Sequence, residues 1–186
     1  MQINFHTVNL KKKHPLQISR GVHDKSQNLF VEIVNDGITA WGESAPGKTE
    51  GAKTAFEVQS HLTRLVDTGI ENLSIYEVYQ RSKELKIPAC AQAGIDMALW
   101  DFNAKKAGLQ LNDLLGLPKP NVPTSITVGI NPPEVVKERV EMILSNPEVR
   151  ALKVKLGSPD GIEYDKLIYS QVLESTKKSN VAIRVD

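Results

Sequence analysis

Two lysines and an aspartate raise the question of chemistry in this sequence. Leu152-Lys153-Val154-Lys155-Leu156 alternates apolar and basic residues. On a strand, residues two apart share a face, so Lys153 and Lys155 point one way while Leu152, Val154 and Leu156 point the other. Two readings stand. On an edge or surface strand the ammonium groups sit in water and carry no role. On a parallel strand covered on both faces they are held away from bulk water, which costs several kcal/mol per ion unless carboxylates, a metal-bound anion or a wet cleft receive them. Adjacent ammonium groups disfavour each other's protonation and desolvation adds to this, so one lysine becomes a candidate general base near neutral pH. Arg184 and Asp186 share a parity opposite Ile183 and Val185. The Asp186 carboxylate therefore projects at the end of its strand, where a hard divalent cation such as Mg²⁺ finds an oxygen ligand. Thr127, one strand earlier, is either structural or a donor to an anionic substrate.

The elements that must position these groups follow from the pattern around them. Thr124 to Val128 reads as a strand, Asn131-Pro132-Pro133 opens a helix carrying Val136, Val140, Ile143 and Leu144, and Ala151 to Leu156 is a second strand. Ser158-Pro159-Asp160 is expected to cap a further helix running to about Lys178, and Val181 to Asp186 is a third strand. This βαβαβ order predicts parallel strands joined by right-handed crossovers. In a (β/α)₈ barrel the active site lies at the C-terminal strand ends, and Lys155 stands just before Gly157 at such an end. A doubly wound nucleotide-binding sheet has the same periodicity, but Gly129-Ile130-Asn131-Pro132 lacks the glycine-rich first turn.

The first third of the chain reads as a small antiparallel sheet. Residues 2 to 10 and 28 to 34 are rich in Ile, Phe, Val and Leu, and Asp36-Gly37 supplies a tight turn into Ile38 to Glu43. His14 to Gln27 is expected to be a loop, too long and polar for a hairpin turn, and Ser44 to Gly51 a second one. Ala55, Val58, Leu62, Leu65 and Val66 share a helical face before Gly69, and Ser74-Ile75-Tyr76-Glu77 is a capping box. Ala89 to Gly108 is apolar or small almost all round, which predicts a buried helix in close approach to its neighbours. Cys90 on it is a packing residue, and Asp96 and Asp101 are expected to be caps or partners of nearby backbone. His6, His14, His23 and His61 show no metal-ligand spacing.

Composition removes several function classes. The 186 residues carry 23 Lys plus Arg against 22 Asp plus Glu, and the densest basic run is Lys11-Lys12-Lys13. That balance gives no footprint for nucleic acid or an anionic membrane. A single cysteine suits a reducing compartment, and no apolar run approaches the ~20 residues of a bilayer span, so a cytoplasmic protein is expected.

Taken in order, these segments resemble the enolase superfamily, specifically its muconate-lactonizing subgroup and, within it, the dipeptide epimerases. The likeness is carried by Ser19-Arg20-Gly21, Ala40-Trp41-Gly42-Glu43, the helix Ala91 to Asp101, Thr124-Ser125-Ile126-Thr127-Val128, Leu152-Lys153-Val154-Lys155 and Arg184-Val185-Asp186. The resemblance implies an α+β capping domain, residues 1–121, and the first part of a (β/α) barrel, residues 122–186. It implies Mg²⁺-assisted removal of a proton α to a carboxylate. By position, Lys155 would be the acid/base and Lys153 would bind the substrate carboxylate. Thr127 would be a first-strand substrate contact, Asp186 the first of three carboxylate metal ligands, and Arg20 the capping-loop group that recognises the distal carboxylate of an acidic dipeptide such as L-Ala-D/L-Glu. The other two ligands and an opposing lysine on the sixth strand are expected beyond Asp186, so the barrel is incomplete and a fragment without activity is the competing expectation. Muconate cycloisomerase and o-succinylbenzoate synthase chemistry use the same residues. The implied partners are a small carboxylate substrate and further copies of the same protein.

Overall fold

The computed structural model describes all 186 residues. Strands β1 (Gln2–Ile18), β2 (Gly21–Asn35) and β3 (Ile38–Ser44) form one sheet in that order. Helices α1 (Ala55–Val66), α2 (Ile75–Glu84), α3 (Ala89–Ala107) and the short α4 (Leu111–Leu114) follow. Then β4 (Ser125–Val128), α5 (Pro133–Leu144), β5 (Ala151–Val154), α6 (Ile162–Thr176) and β6 (Ala182–Val185) alternate, and the three strands make a second, parallel sheet in sequence order. No helix is long and apolar enough to cross a membrane. Two compact units result, one of Met1–Leu10 with Ser26–Lys119 and one of Lys11–Lys25 with Pro120–Asp186.

In the first unit the sheet and helices share one core. Leu29, Val31 and Ile33 of β2, Val58, Leu62 and Leu65 of α1, and Ala91, Ile95 and Ala98 of α3 are all buried in it. Asp36 and Gly37 both take positive φ and join β2 to β3 in register, as the Asp-Gly signal predicts. The small residues of α3 let its backbone lie against β3: a Cβ at Gly42 would run into the Gly94 carbonyl and the Ala98 amide. The capping box forms as expected, with the Ser74 hydroxyl accepting the Glu77 N–H at 3.2 Å and the Glu77 carboxylate accepting the Ser74 N–H at 2.7 Å. A second cap had been hidden in Thr54: its hydroxyl accepts the Glu57 N–H at 3.1 Å, and Glu57 reaches back to the Lys53 N–H at 2.7 Å.

The His14 to Gln27 stretch is not a loop. β1 and β2 run on as one long hairpin that turns at Ser19-Arg20. Its distal part, Lys11–Lys25, groups with the second unit, where Ile130 N–H donates to the Gln17 carbonyl at 2.9 Å and Gly129 leaves room for the Gln17 backbone. Most of these residues are exposed on both strand faces, so the hydrophobic alternation that announces a strand is missing while the backbone ladder persists.

In the second unit Val128, Ile130, Leu152 and Val154 bury against Val136, Val140 and Ile143 of α5 and Ile168 and Val172 of α6. Both helices contact each other and share this one apolar cluster, so they cover one face of the sheet and leave the other to polar side chains. The start of α6 also differs from expectation. Gly161, at φ 91°, occupies the cap position with no side-chain bond, and the Ser158 hydroxyl instead accepts the Asp160 N–H at 3.1 Å within the preceding turn. The architecture is an α+β capping unit followed by the opening βαβαβ of a (β/α) barrel.

Candidate functional site

The register of the second sheet assembles the polar face. Thr127, Lys153 and Arg184 are partners across β4, β5 and β6, and parallel partners project to the same side. One row below lie Ser125, Ala151 and Ala182. One row above, the ladder continues past the strand ends: Asp186 N–H donates to the Val154 carbonyl at 3.0 Å, and Leu156 N–H to the Asp186 carbonyl at 2.9 Å. Lys155 and Asp186 thus stand side by side at the C-terminal edge.

Asp186 sits between the two lysines. Its Oδ2 lies 2.5 Å from Lys153 Nζ and also accepts a hydrogen bond from Lys155 Nζ. Hydrogen bonds from Lys153 first and Lys155 second hold the carboxyl down to about 2; burial opposes them, and the two lysine charges add to the lowering. The Lys153 and Lys155 side chains are 39% and 26% exposed. Of the two readings, full cover on both faces does not hold among these residues, whereas the carboxylate that such lysines call for is present in Asp186. Since α5 and α6 lie on the same side, the lysines are sheltered only by their neighbours, and a carboxylate offsets what desolvation remains. Below them the Arg184 guanidinium donates to the Ser125 hydroxyl on β4, passing the small Ala151.

Four of the five expected residues, Thr127, Lys153, Lys155 and Asp186, therefore share one face. Arg20 is exposed at the hairpin turn, outside the lysine–aspartate cluster. Its neighbour Ser19 is close to Gly157, with the Ser19 Cβ 3.7 Å from where a Cβ on that glycine would stand, so the tip lies beside the end of β5. As a metal site the cluster offers one ionised oxygen donor of suitable chemistry, Asp186. No three His, Cys, Asp or Glu side chains converge to hold an ion. Asp186 fits the role of a single ligand and these residues supply no others.

The remaining candidates settle into structural places. Asp101 accepts the Trp41 N–H at 2.9 Å and pairs with Lys105 at 2.7 Å, as a partner of nearby backbone should. Asp96 has no such partner, and burial on α3 pushes its carboxyl up. Cys90 is buried, its thiol likewise raised by burial. His6 bonds Glu32 at 3.0 Å, while His14 lines a cavity of about 490 Å³ with Thr127, Asn131 and Arg139. Sequence reasoning missed Asp165, a buried carboxylate on the first turn of α6 that accepts the N–H groups of Gly157 and Ser158. An acidic residue in the first turn of a helix, just after a Gly-Ser-Pro-Asp-Gly stretch, was the available signal.

Comparison with known proteins identifies the family. Residues 2–116 match the mandelate racemase / muconate lactonizing enzyme N-terminal domain. Over its full length the chain is 56% identical to a hydrophobic dipeptide epimerase of a Flavobacteria bacterium and 48% identical to one of Roseobacter litoralis, covering 53% and 54% of those proteins. All of it aligns, with a TM-score of 0.88 and 26% identity, to 52% of a dipeptide epimerase from Enterococcus faecalis solved with Mg and the dipeptide L-Leu-L-Tyr. The chain spans about half the length of the relatives it matches. It belongs to the mandelate racemase / muconate lactonizing enzyme family of the enolase superfamily.

Proposed function

We propose that these residues belong to a dipeptide epimerase, an isomerase that inverts a carbon α to a carboxylate by proton transfer. The observation that carries this reading is the cluster of Lys153, Lys155 and Asp186 on the uncovered face of β4–β6, at the strand ends where barrels hold their active sites. In this proposal residues 1–121 form the cap and residues 122–186 open the barrel. Lys155, as the neutral amine, takes the α-proton and becomes an ammonium. The electron pair left behind spreads onto the adjacent carboxyl oxygens, which the Lys153 ammonium faces. Thr127, in register with Lys153, donates to the substrate from the next strand. Asp186 would hold Mg²⁺ together with oxygen donors that these 186 residues do not supply. Bound there, the ion would stabilise negative charge on the substrate carboxylate as a Lewis acid.

The relatives favour a hydrophobic dipeptide over an acidic one, since those 56% and 48% identical are named for hydrophobic dipeptides. Arg20 at the hairpin tip is the one residue that argues for an acidic side chain. Incubating the complete gene product with Mg²⁺ in D₂O separates the two. Exchange of the α-proton of L-Leu-L-Tyr well above that of L-Ala-L-Glu supports the hydrophobic reading, the reverse restores the acidic one, and no exchange with any dipeptide removes the epimerase assignment. Muconate serves as the control for cycloisomerase chemistry.

A further inference from the structure

We infer that Asp165 is a positioning residue for Lys155, clamping the backbone that leaves β5 so that the lysine stays aligned with Asp186 and Lys153; this rests on the acid/base role proposed for Lys155. Asp165 lies on the first turn of α6 and is 7% exposed. Each of its two carboxylate oxygens accepts one main-chain N–H, two and three residues beyond the lysine: Oδ2 accepts the Gly157 N–H at 2.9 Å and Oδ1 accepts the Ser158 N–H at 3.0 Å.

A buried carboxylate is costly unless hydrogen-bonded, and here two backbone donors and the positive end of a helix meet it. The consequence is mechanical. Gly157 holds φ at +88°, a turn that only glycine adopts without strain, so the chain bends sharply directly after Lys155-Leu156. Such a bend has no ladder partner of its own. Upstream of it, Lys155 N–H bonds the Val128 carbonyl at 3.0 Å and Leu156 N–H the Asp186 carbonyl at 2.9 Å. The end of β5 is therefore pinned on both sides, by the sheet before the bend and by Asp165 after it. Without the second pin, the Lys155–Leu156 ladder becomes the free end of a strand, and the amine shifts against its partner. Reacting groups lose about 100-fold in rate for a misplacement near 1 Å, so a clamp at this distance from the lysine has leverage on the chemistry.

The test uses Asp165→Ala and Asp165→Asn in the complete enzyme, with two readouts. The first is amide hydrogen exchange, which does not depend on activity. In Asp165→Ala, exchange should rise at Gly157 and Ser158, and also at Lys155, Leu156 and Asp186. A rise confined to Gly157 and Ser158 overturns the positioning role. The second is α-proton exchange measured separately from each epimer of the dipeptide. The epimer whose proton faces Lys155 should lose about 100-fold in Asp165→Ala, while the epimer served by the opposite base keeps its rate. An equal loss for both epimers means that Asp165 only supports folding, and no loss for either also overturns the proposal. Asp165→Asn keeps one acceptor oxygen, so it should fall between wild type and Asp165→Ala in both readouts. It also keeps the proposal testable should the alanine variant fail to fold. If wild type itself exchanges neither epimer, the epimerase reading falls, and the amide exchange still decides the clamp.

Discussion

The two sheets of this molecule solve opposite problems. In β1–β2–β3 the base of the sheet is covered by α3 at backbone-to-backbone distance, with glycines at 42 and 94 removing the side chains that would keep helix and strand apart. In β4–β5–β6 one face is packed by α5 and α6 while the other presents Ser125, Thr127, Lys153, Lys155, Arg184 and Asp186. Close packing makes the first sheet a scaffold in which small changes of volume are felt. Single-sided packing makes the second a platform, whose apolar face holds the strands in register so that the polar face has a fixed arrangement of charge. Period-two alternation separates two jobs along β5 and its end: Leu152 and Val154 hold it in place, while Lys153 and, one residue past the strand, Lys155 are the groups proposed for the chemistry.

The sharpest way to break this comparison is to alter the two faces of β5 separately. Lys155→Ala removes the proposed acid/base and should lower α-proton exchange from the epimer whose proton faces it by about 10²–10⁴-fold, with the unfolding midpoint nearly unchanged. Leu152→Ala, three residues away and on the opposite face, empties a fully buried site and should cost about 2–5 kcal/mol in chemical denaturation. Exchange per folded molecule should then stay within a few-fold of wild type. If Lys155→Ala proves as destabilising as Leu152→Ala, the polar face is structural and the division of labour is wrong.

A smaller effect is expected on the other sheet. In Gly42→Ala the new methyl meets the Gly94 carbonyl and the Ala98 amide, which belong to the α3 backbone and have little freedom to move. The strain of overpacking predicts a loss of about 1–3 kcal/mol, read as a lower unfolding midpoint. An unchanged midpoint would show that α3 rides on β3 more loosely than its glycines indicate.

These contrasts also explain what was legible in the sequence. The lysine pair, the Asp36-Gly37 turn, the Ser74 box and the small-residue α3 are local signals, and each appears in the structure at its residues. The parallel βαβαβ order was readable for the same reason, since periodicity changes from 2 to 3.6 along the chain. The exposure of the lysine face was not, because strand order and helix side are set by tertiary packing. The distal hairpin from Lys11 to Lys25 escaped since strands exposed on both faces leave no apolar pattern. Asp165 escaped since its partners are backbone amides, which look alike in every sequence. Where function needs a charged side chain at a strand end, the sequence shows the charge; where it needs backbone held still, only the fold shows the holder.

The weakest of the expected effects concerns the ion cluster itself. Asp186 is held at about 2 by hydrogen bonds from Lys153 and then Lys155, below the ordinary aspartate value of 3.8. A carboxyl depressed in the folded state stabilises that state above the unfolded pKa, and the contribution is lost as pH falls from about 4 through about 2. In metal-free buffer, wild type should therefore lose stability over this window more steeply than Asp186→Asn. Raising the salt concentration should narrow the difference, because the cluster is open to solvent and its charges are screened. The apolar face of the same sheet supplies the control: Leu152 and Val154 carry no charge, so Leu152→Ala should shift the whole pH curve down without changing its slope. Identical slopes for wild type and Asp186→Asn between pH 4 and 2 would mean that the carboxylate contributes nothing to holding β6 against β5. The lysine–aspartate arrangement would then serve chemistry alone.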